Sequence, residues 1–241
     1  MRLTHRHRRR SHSPLARAAA VTAAALVSVG LAAGARAEVI LSNFELPRGT
    51  NTTGINQLFH KAVGITISGS TSYEFTSLEA PIRNLTTTAF TATGTIRADS
   101  GGNPGAILAS LSSVVLPGSG PTSTFVDYTF TGSFTLLAGQ SYWFVLESDR
   151  PVSGNEVAWG SPASNAAPTP AAGITFLGYR QGAVAGGTTT WTNSTLSNSV
   201  RINAAVVPEP GTLALLPLGA LALAGGHAGA ALRRRRSRSA V

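Results

Sequence analysis

Hydrophobic and polar residues alternate along most of the chain between its two ends. In the segments FVDYTF (residues 125–130) and FTL (residues 134–136), aromatic and β-branched residues mostly alternate with small polar ones. This period of two is typical of a strand with one face in a core and the other in solvent. Residues 38–207 contain no sustained helical period, so the pattern predicts an all-β domain.

Clusters of glycine, proline, serine and asparagine divide the chain into short pieces. Between these turn signals we predict strands at residues 38–44, 62–68, 73–80, 85–98, 106–116, 124–130, 133–137, 141–148, 156–160, 174–180, 189–192 and 199–206. Many short strands at such spacing are typical of an antiparallel β-sandwich, and we expect a jelly-roll-like one. The proline-rich residues 161–170 are expected to form a long loop, where a binding surface can lie.

The amino-terminal segment has the three parts of a secretory signal peptide. Six arginines precede an apolar stretch at residues 18–33, and Ala35 and Ala37 follow, separated by one residue. This order predicts cleavage after Ala37 by signal peptidase, which leaves Glu38 as the first mature residue. We expect the general secretion route rather than the twin-arginine route, and a basic arm for nucleic acid is the alternative.

The carboxy-terminal segment can span a membrane. Residues 212–232 contain no Asp, Glu, Lys or Arg, and a helix of that length is about 31 Å long, close to the thickness of the hydrocarbon core of a bilayer. The five arginines in residues 233–241 then favour a cytoplasmic end, with the preceding domain outside. A permanent single-span anchor and a removable sorting tail both fit these features.

A Pro-Glu-Pro motif lies just before the predicted span. Pro208 and Pro210 fix their own φ angles and bias the residues before them toward extended conformations. We therefore expect a stiff, extended tripeptide at the membrane surface, a shape that suits the cleft of a protease.

In this order, Pro208-Glu209-Pro210, the apolar span and the arginine cluster resemble the PEP-CTERM sorting signal of exported proteins of Gram-negative bacteria. The resemblance covers residues 207–241. It implies recognition by an exosortase, an integral-membrane transpeptidase-like enzyme, in bacteria that make exopolysaccharide. It also implies that the three motif residues are recognition groups of a substrate and not catalytic groups of this protein.

The central domain carries a second resemblance. The segments DSGGNPGAILASL (residues 99–111), YTF (residues 128–130) and LLAGQSYWFVL (residues 136–146) are similar to the choice-of-anchor class of exported β-domains, and most of all to its type R. The similarity covers residues 60–205. It implies a surface or extracellular module, and it implies no catalytic residue.

The net charge of +9 comes from the two ends of the chain. Of the 19 basic residues, 12 lie in residues 1–37 and 233–241, whereas residues 38–207 hold nine acidic and seven basic residues, a net charge of −2. A domain that binds nucleic acid needs a basic face, so nucleic acid is not an expected partner. The chain has no cysteine, which excludes disulfides, thiolate catalysis and cysteine metal sites.

Hydrolytic chemistry has few candidate residues in the central domain. His60 is its only histidine, which we expect in a loop or at the surface, and no G-x-S-x-G segment supplies a serine nucleophile. Carboxylates cluster at Glu147, Asp149 and Glu156. The first two are two residues apart at a strand end and are expected to share a face. Because a glycosidase needs two facing carboxylates, a secreted hydrolase is the weaker alternative, and no catalytic residue is assigned.

Asp99 and Asn103 lie in a glycine-rich turn. Their side-chain oxygens can bind calcium, but Asp and Asn also stabilise turns through their own side chains. The turn is the simpler interpretation. We therefore expect no metal and no other cofactor, with these two residues as a weak candidate site.

Aromatic residues near turns are candidates for stacking on sugars, namely Trp159, Tyr179 and Trp191. Packing is the preferred interpretation for them, and also for Trp143, which we place in the core. Stacking would support an alternative function, a carbohydrate-binding module for exopolysaccharide.

Together these features predict a non-enzymatic protein that is exported to the cell surface or extracellular matrix from a precursor tethered to the inner membrane. Its expected partners are signal peptidase, an exosortase-like membrane protease and, through the tail, the membrane itself, with exopolysaccharide as a candidate ligand. The expected domains are the signal peptide at residues 1–37, the β-sandwich at residues 38–206 and the sorting signal at residues 207–241.

Overall fold

The structure, a computed structural model, describes residues 36–151 and 154–208. Most of the predicted signal peptide, the motif residues Glu209 and Pro210, and the predicted span and basic tail lie outside these residues. The described part consists of strands, turns and loops and contains no helix, so the all-β prediction is confirmed for it. No helix long and apolar enough to cross a membrane occurs within it.

Fourteen strands make up the described part of the chain. In chain order they are β1 (Glu38–Ser42), β2 (Arg48–Gly54), β3 (Phe59–Ile67), β4 (Tyr73–Asn84), β5 (Phe90–Asp99), β6 (Pro104–Ser110), β7 (Val114–Leu116), β8 (Val126–Leu136), β9 (Ser141–Ser148), β10 (Val157–Pro162), β11 (Thr169–Pro170), β12 (Ile174–Ala185), β13 (Thr188–Ser194) and β14 (Arg201–Val206).

Two of these strands are absent from the sequence-based prediction. β2 has the polar sequence RGTNTTG, in which only the last two residues are buried, so it shows no apolar period. β11 contains only two residues, both exposed, and lies within the predicted long loop. Neither strand presents the alternating apolar residues on which the prediction rests.

β8 is one strand where the sequence predicts two. Its register with β4 passes from Phe75 opposite Phe134 to Ser77 opposite Thr131, so two residues of β8 oppose one residue of β4. Gly132 lies in this bulge, which explains why the sequence resembles a turn there. The reverse holds for predicted strand 106–116, which forms the separate strands β6 and β7.

The strands form two seven-stranded sheets in which all pairs are antiparallel. Sheet A has the order β11-β1-β14-β4-β10-β2, with β8 also paired to β4. Sheet B has the order β13-β12-β3-β9-β5-β6, with β7 also paired to β5. β4 is long enough for β14 and β10 to share one of its edges while β8 pairs with the other.

The main core lies between the two sheets. β3 of sheet B contributes Val63 and Ile65, and β4 of sheet A contributes Phe75 and Leu78, all fully buried in one cluster. Phe75 meets Phe144 of β9 with ring centroids 5.4 Å apart. Packing of two antiparallel sheets across a shared apolar layer is the sandwich architecture that the sequence predicts.

A second, smaller cluster covers the outer face of sheet B, the face turned away from sheet A. It contains Ala62, Trp143 and Val145, with Trp191 partly buried against it. The Trp143 ring fits closely because its neighbour on β3 is Gly64, where an added Cβ would lie 2.6 Å from the ring. This outer face carries the candidate site.

The first and last strands are hydrogen-bonded neighbours. Glu38 of β1 lies opposite Ala204 of β14, and Val206 lies opposite Tyr73, the first residue of β4. The beginning and the end of the domain therefore lie side by side. We call the end of the domain that holds Glu38 and Val206 the terminal end.

Candidate functional site

One row of residues crosses the outer face of sheet B from β13 to β5. The strand registers place Trp191 opposite Gly182, Gly182 opposite His60, and Glu147 opposite Thr93. A contact of 3.0 Å between His60 Nε2 and Glu147 Oε2 joins the residues of β13, β12 and β3 to those of β9 and β5. Five neighbouring strands thus contribute one residue each to this row, which we call the outer row.

A cavity of about 500 Å³ adjoins the outer row. It lies where β9 ends and β5 begins, beside the loop that precedes β3. Seven polar residues line it, namely Gln57, His60, Thr91, Thr93, Glu147, Ser148 and Asp149.

His60 and Glu147 are the central pair of this cavity. His60 is only 9% exposed; burial lowers the pKa of its imidazole, Glu147 acts to raise it, and Arg97 acts to lower it. The lowered pKa favours the neutral imidazole, whose Nε2–H donates to Glu147 Oε2 at 3.0 Å. Its Nδ1 atom is buried without a hydrogen-bonding partner among the described residues. Glu147 Oε1 has only a long contact, 3.5 Å from Thr93 Oγ1.

Asp149 and Gln57 form the rim of the cavity. The Asp149 carboxylate accepts a hydrogen bond of 2.8 Å from the backbone N–H of Thr91, and the Asp149 carbonyl accepts one of 3.1 Å from Gln57 Nε2. Both rim residues are exposed. The rim is thus held in place by hydrogen bonds and still presents a carboxylate and an amide to solvent.

The structure corrects two expectations about this region. His60 does not lie in a loop or at the surface; it is buried within β3, where it packs against the ring of Trp191. Glu147 and Asp149 line the same cavity, but Glu156 is not one of its lining residues. The Glu156 carboxylate instead pairs with Arg150 at 2.8 Å, so the three acidic residues do not form one site.

Two of the three aromatic residues considered for sugar stacking are buried in the main core. Trp159 is 0% exposed and donates from Nε1 to the carbonyl of Ser199 at 2.7 Å. Tyr179 is 4% exposed and packs edge-on against Trp159, with ring centroids 6.5 Å apart. Stacking on a sugar is therefore wrong for both rings, because neither has a free face. Trp191 remains partly exposed on the outer row, 6.4 Å from the ring of His60.

The oxygens of Asp99 and Asn103 bind groups of the protein itself. Trp143 Nε1 donates to one oxygen of Asp99 at 2.7 Å, and the backbone N–H of Gly102 donates to the other at 3.1 Å. Arg180 Nε donates to the Asn103 oxygen at 3.1 Å, and a guanidinium at this distance repels a bound cation. Within residues 36–151 and 154–208, no three or more His, Asp or Glu side chains are placed to hold a metal ion.

Comparison with known proteins gives no relative. No family model matches the chain. No curated protein and no solved structure matches it either. The geometry of the outer row and its cavity is therefore the basis for the functional argument.

Sequence reasoning missed several lining residues of the cavity. Gln57, Thr91 and Thr93 are ordinary polar residues in segments without a motif. Thr91 and Thr93 come to the cavity through the pairing of β5 with β9, and Gln57 comes from the loop before β3. A single sequence contains no signal that distinguishes them from other surface threonines and glutamines.

Lys61 was also missed, although the sequence contained a signal for it. It lies two residues before Val63 in β3, so the period of two places it on the inward-facing side. It is fully buried, donates to Ser194 Oγ and, at 3.1 Å, to the carbonyl of Leu196, and lies 5.3 Å from the ring of Tyr179. Burial lowers the pKa of its ammonium group to about 7.

Proposed function

We propose that the chain is a non-enzymatic protein exported to the cell surface or extracellular matrix of a Gram-negative bacterium that makes exopolysaccharide. Signal peptidase acts at Ala35 and Ala37, and an exosortase-type enzyme acts on the motif Pro208-Glu209-Pro210 of the membrane-tethered precursor. The released part is the β-domain, which we propose to be a jelly-roll-like sandwich.

The positions of the first and last strands support this proposal. β1 begins at Glu38, directly after the proposed cleavage point, and β14 ends at Val206, two residues before the motif. Val207, between the end of β14 and the motif, donates its backbone N–H to the carbonyl of Ser72 at 2.9 Å. Each strand pair of the described residues lies within residues 38–206, so removal of both flanking segments leaves these pairs intact.

The cavity supports a binding role better than a catalytic one. A serine hydrolase needs a serine hydroxyl bonded to its histidine base. Here His60 Nε2 contacts Glu147, and the serine among the lining residues, Ser148, donates its hydroxyl to a backbone carbonyl at 2.7 Å. Glu156 pairs with Arg150 and is not one of the residues that line the cavity. A secreted hydrolase is thus the weaker alternative. A carbohydrate-binding module remains the stronger one, because Trp191 is partly exposed and can stack on a sugar.

Mass spectrometry of the intact protein and its terminal peptides, isolated from the native host, tests the sorting proposal. We expect a mature form that begins at Glu38 and lacks the predicted span. The double variant Pro208→Ala/Pro210→Ala should keep its tail and accumulate in the inner membrane. The matched variant Pro217→Ala, which alters a proline within the span, should be processed normally.

Two outcomes would contradict the proposal. One is an undivided chain in the cytoplasm with both ends intact, and the other is normal processing of the double variant. An exported chain that keeps its tail would favour the permanent anchor instead.

A further inference from the structure

The outer row combines an aromatic ring with hydrogen-bonding side chains on one surface. We propose that this row and its cavity bind a neutral, polyhydroxylated ligand, namely a short stretch of a polysaccharide. Glu147 and Asp149 accept hydrogen bonds from its hydroxyl groups, and Trp191 lies against a sugar ring. The row crosses four strand spacings, about 19 Å, which is longer than one pyranose ring. This proposal develops the carbohydrate-binding alternative and does not depend on the sorting tail.

Glu147 is arranged to accept hydrogen bonds from a ligand. Its side chain is 32% exposed, and His60 engages only one of its oxygens at short distance. This contact orients the carboxylate of Glu147. An ionised carboxylate offers roughly four acceptor positions, so Oε1 retains capacity for a hydroxyl donor. Hydrogen bonds to an ionised acceptor are also stronger than those between neutral groups.

Trp191 supplies the flat apolar surface of the site. Its neighbour on β12 is Gly182, where an added Cβ would lie 2.9 Å from the ring, so the ring rests directly on the backbone of that strand. The side chain is partly buried, and part of it remains open to solvent. Trp143 and Trp159 are 0% exposed, so within the described residues Trp191 is the indole that a ligand can reach.

The lining residues disfavour other classes of ligand. An anion would meet the two carboxylates of Glu147 and Asp149, and the lining contains neither lysine nor arginine. A metal ion needs several ligating side chains, and the described part of the chain provides no group of three. A neutral ligand rich in hydroxyl groups matches the carboxylate acceptors, the Gln57 amide and the threonine hydroxyls, because amides and hydroxyls both donate and accept.

The cavity lies opposite the terminal end of the domain. Val206 lies opposite Tyr73, and Tyr73 also lies opposite Leu136, the last residue of β8. β9 starts five residues later at Ser141 and runs from the terminal end to the cavity.

Isothermal titration calorimetry of the full chain tests this proposal, in a zwitterionic detergent because such a detergent has no sugar headgroup. The probes are short neutral oligosaccharides of glucose, galactose, mannose and xylose, and tryptophan fluorescence is followed in parallel. We expect at least one probe to bind. Glu147→Ala and Trp191→Ala should each weaken this binding about tenfold, and Gln57→Ala on the exposed rim about threefold.

The matched control is Glu74→Gln, which alters a carboxylate of β4 in sheet A that accepts hydrogen bonds from Ser133 and Thr135. It should bind the probe as the wild type does. Trp191→Phe keeps an aromatic surface and should lose less affinity than Trp191→Ala. Near-ultraviolet circular dichroism is used to check that each variant is folded.

Three outcomes overturn the proposal: no binding of any probe, equal affinities of the wild type and Glu147→Ala, or binding at the cavity of only amines or divalent cations. None of them bears on the sorting proposal, which is decided by the masses of the termini. Conversely, a chain that is not processed can still bind the sugar.

Discussion

Replacing Lys61 by methionine should make the stability of the domain less dependent on pH. Lys61 is fully buried, and burial lowers the pKa of its ammonium group to about 7, whereas in the unfolded chain the value is about 10.4. Between these two values the unfolded state binds a proton that the folded state does not. The free energy of unfolding of the wild type therefore rises with pH in this range, by at most about 1.4 kcal/mol per pH unit.

The expected magnitude follows from the two pKa values. Their difference corresponds to a cost of roughly 5 kcal/mol, which is fully present well below pH 7 and absent above about pH 10.4. Methionine also removes the hydrogen bonds from Lys61 to Ser194 and to the carbonyl of Leu196, each worth about 1 kcal/mol. Lys61→Met should thus be more stable than the wild type by about 2–3 kcal/mol in mild acid and less stable than it at the alkaline limit.

Urea unfolding of the wild type and of Lys61→Met, at a series of pH values from mildly acidic to alkaline, measures this difference. Other titrating groups cancel in the comparison, including Tyr179, whose pKa burial raises. The control is Val63→Ala, a neutral change on the same inward-facing side of β3, which should lose the same amount of stability at every pH. A free-energy difference between the wild type and Lys61→Met that does not change with pH would refute the reasoning.

Two further predictions concern the tryptophans. Gly64→Ala places a methyl group 2.6 Å from the ring of Trp143, so the ring must shift. We expect thermal unfolding to show a loss of about 1–3 kcal/mol of stability. An unchanged melting temperature would mean that the ring does not rest on β3. Trp159→Phe removes the buried hydrogen bond to the carbonyl of Ser199 and should lower the free energy of unfolding by about 1–3 kcal/mol. Trp191 is partly exposed, so Trp191→Phe should lower it by less than about 0.5 kcal/mol. Equal losses in these two variants would contradict the assignment of Trp159 to the core.

The period of two was sufficient to place most strands because alternation is a local property of the chain. The site depends instead on which strands are neighbours and in which register. His60, Glu147 and Trp191 are far apart in the sequence and meet only because β3 lies between β9 and β12, and β12 pairs with β13. No local pattern specifies that order, so the outer row could not be predicted.

Trp159 shows a second limit of the alternation pattern. All six residues of β10 are buried, so the period of two is lost where both faces of a strand are covered. Nearness to a turn made Trp159 and Tyr179 candidates for stacking on sugars, although packing was the preferred interpretation. Both rings lie in the core between the sheets. For Lys61, in contrast, the alternation along β3 gives the correct, inward-facing position. It was overlooked because a charged residue is normally expected at the surface.

The last strand of the domain lies between two partners. β14 pairs with β1 on one edge and with β4 on the other. When the chain beyond Val206 is pulled while the opposite end of the domain is held, the force acts along the axis of β14. Both ladders are then loaded in shear, and their bonds must fail together, whereas an edge strand can peel away one bond at a time. The domain is thus mechanically resistant to traction through its own carboxyl terminus.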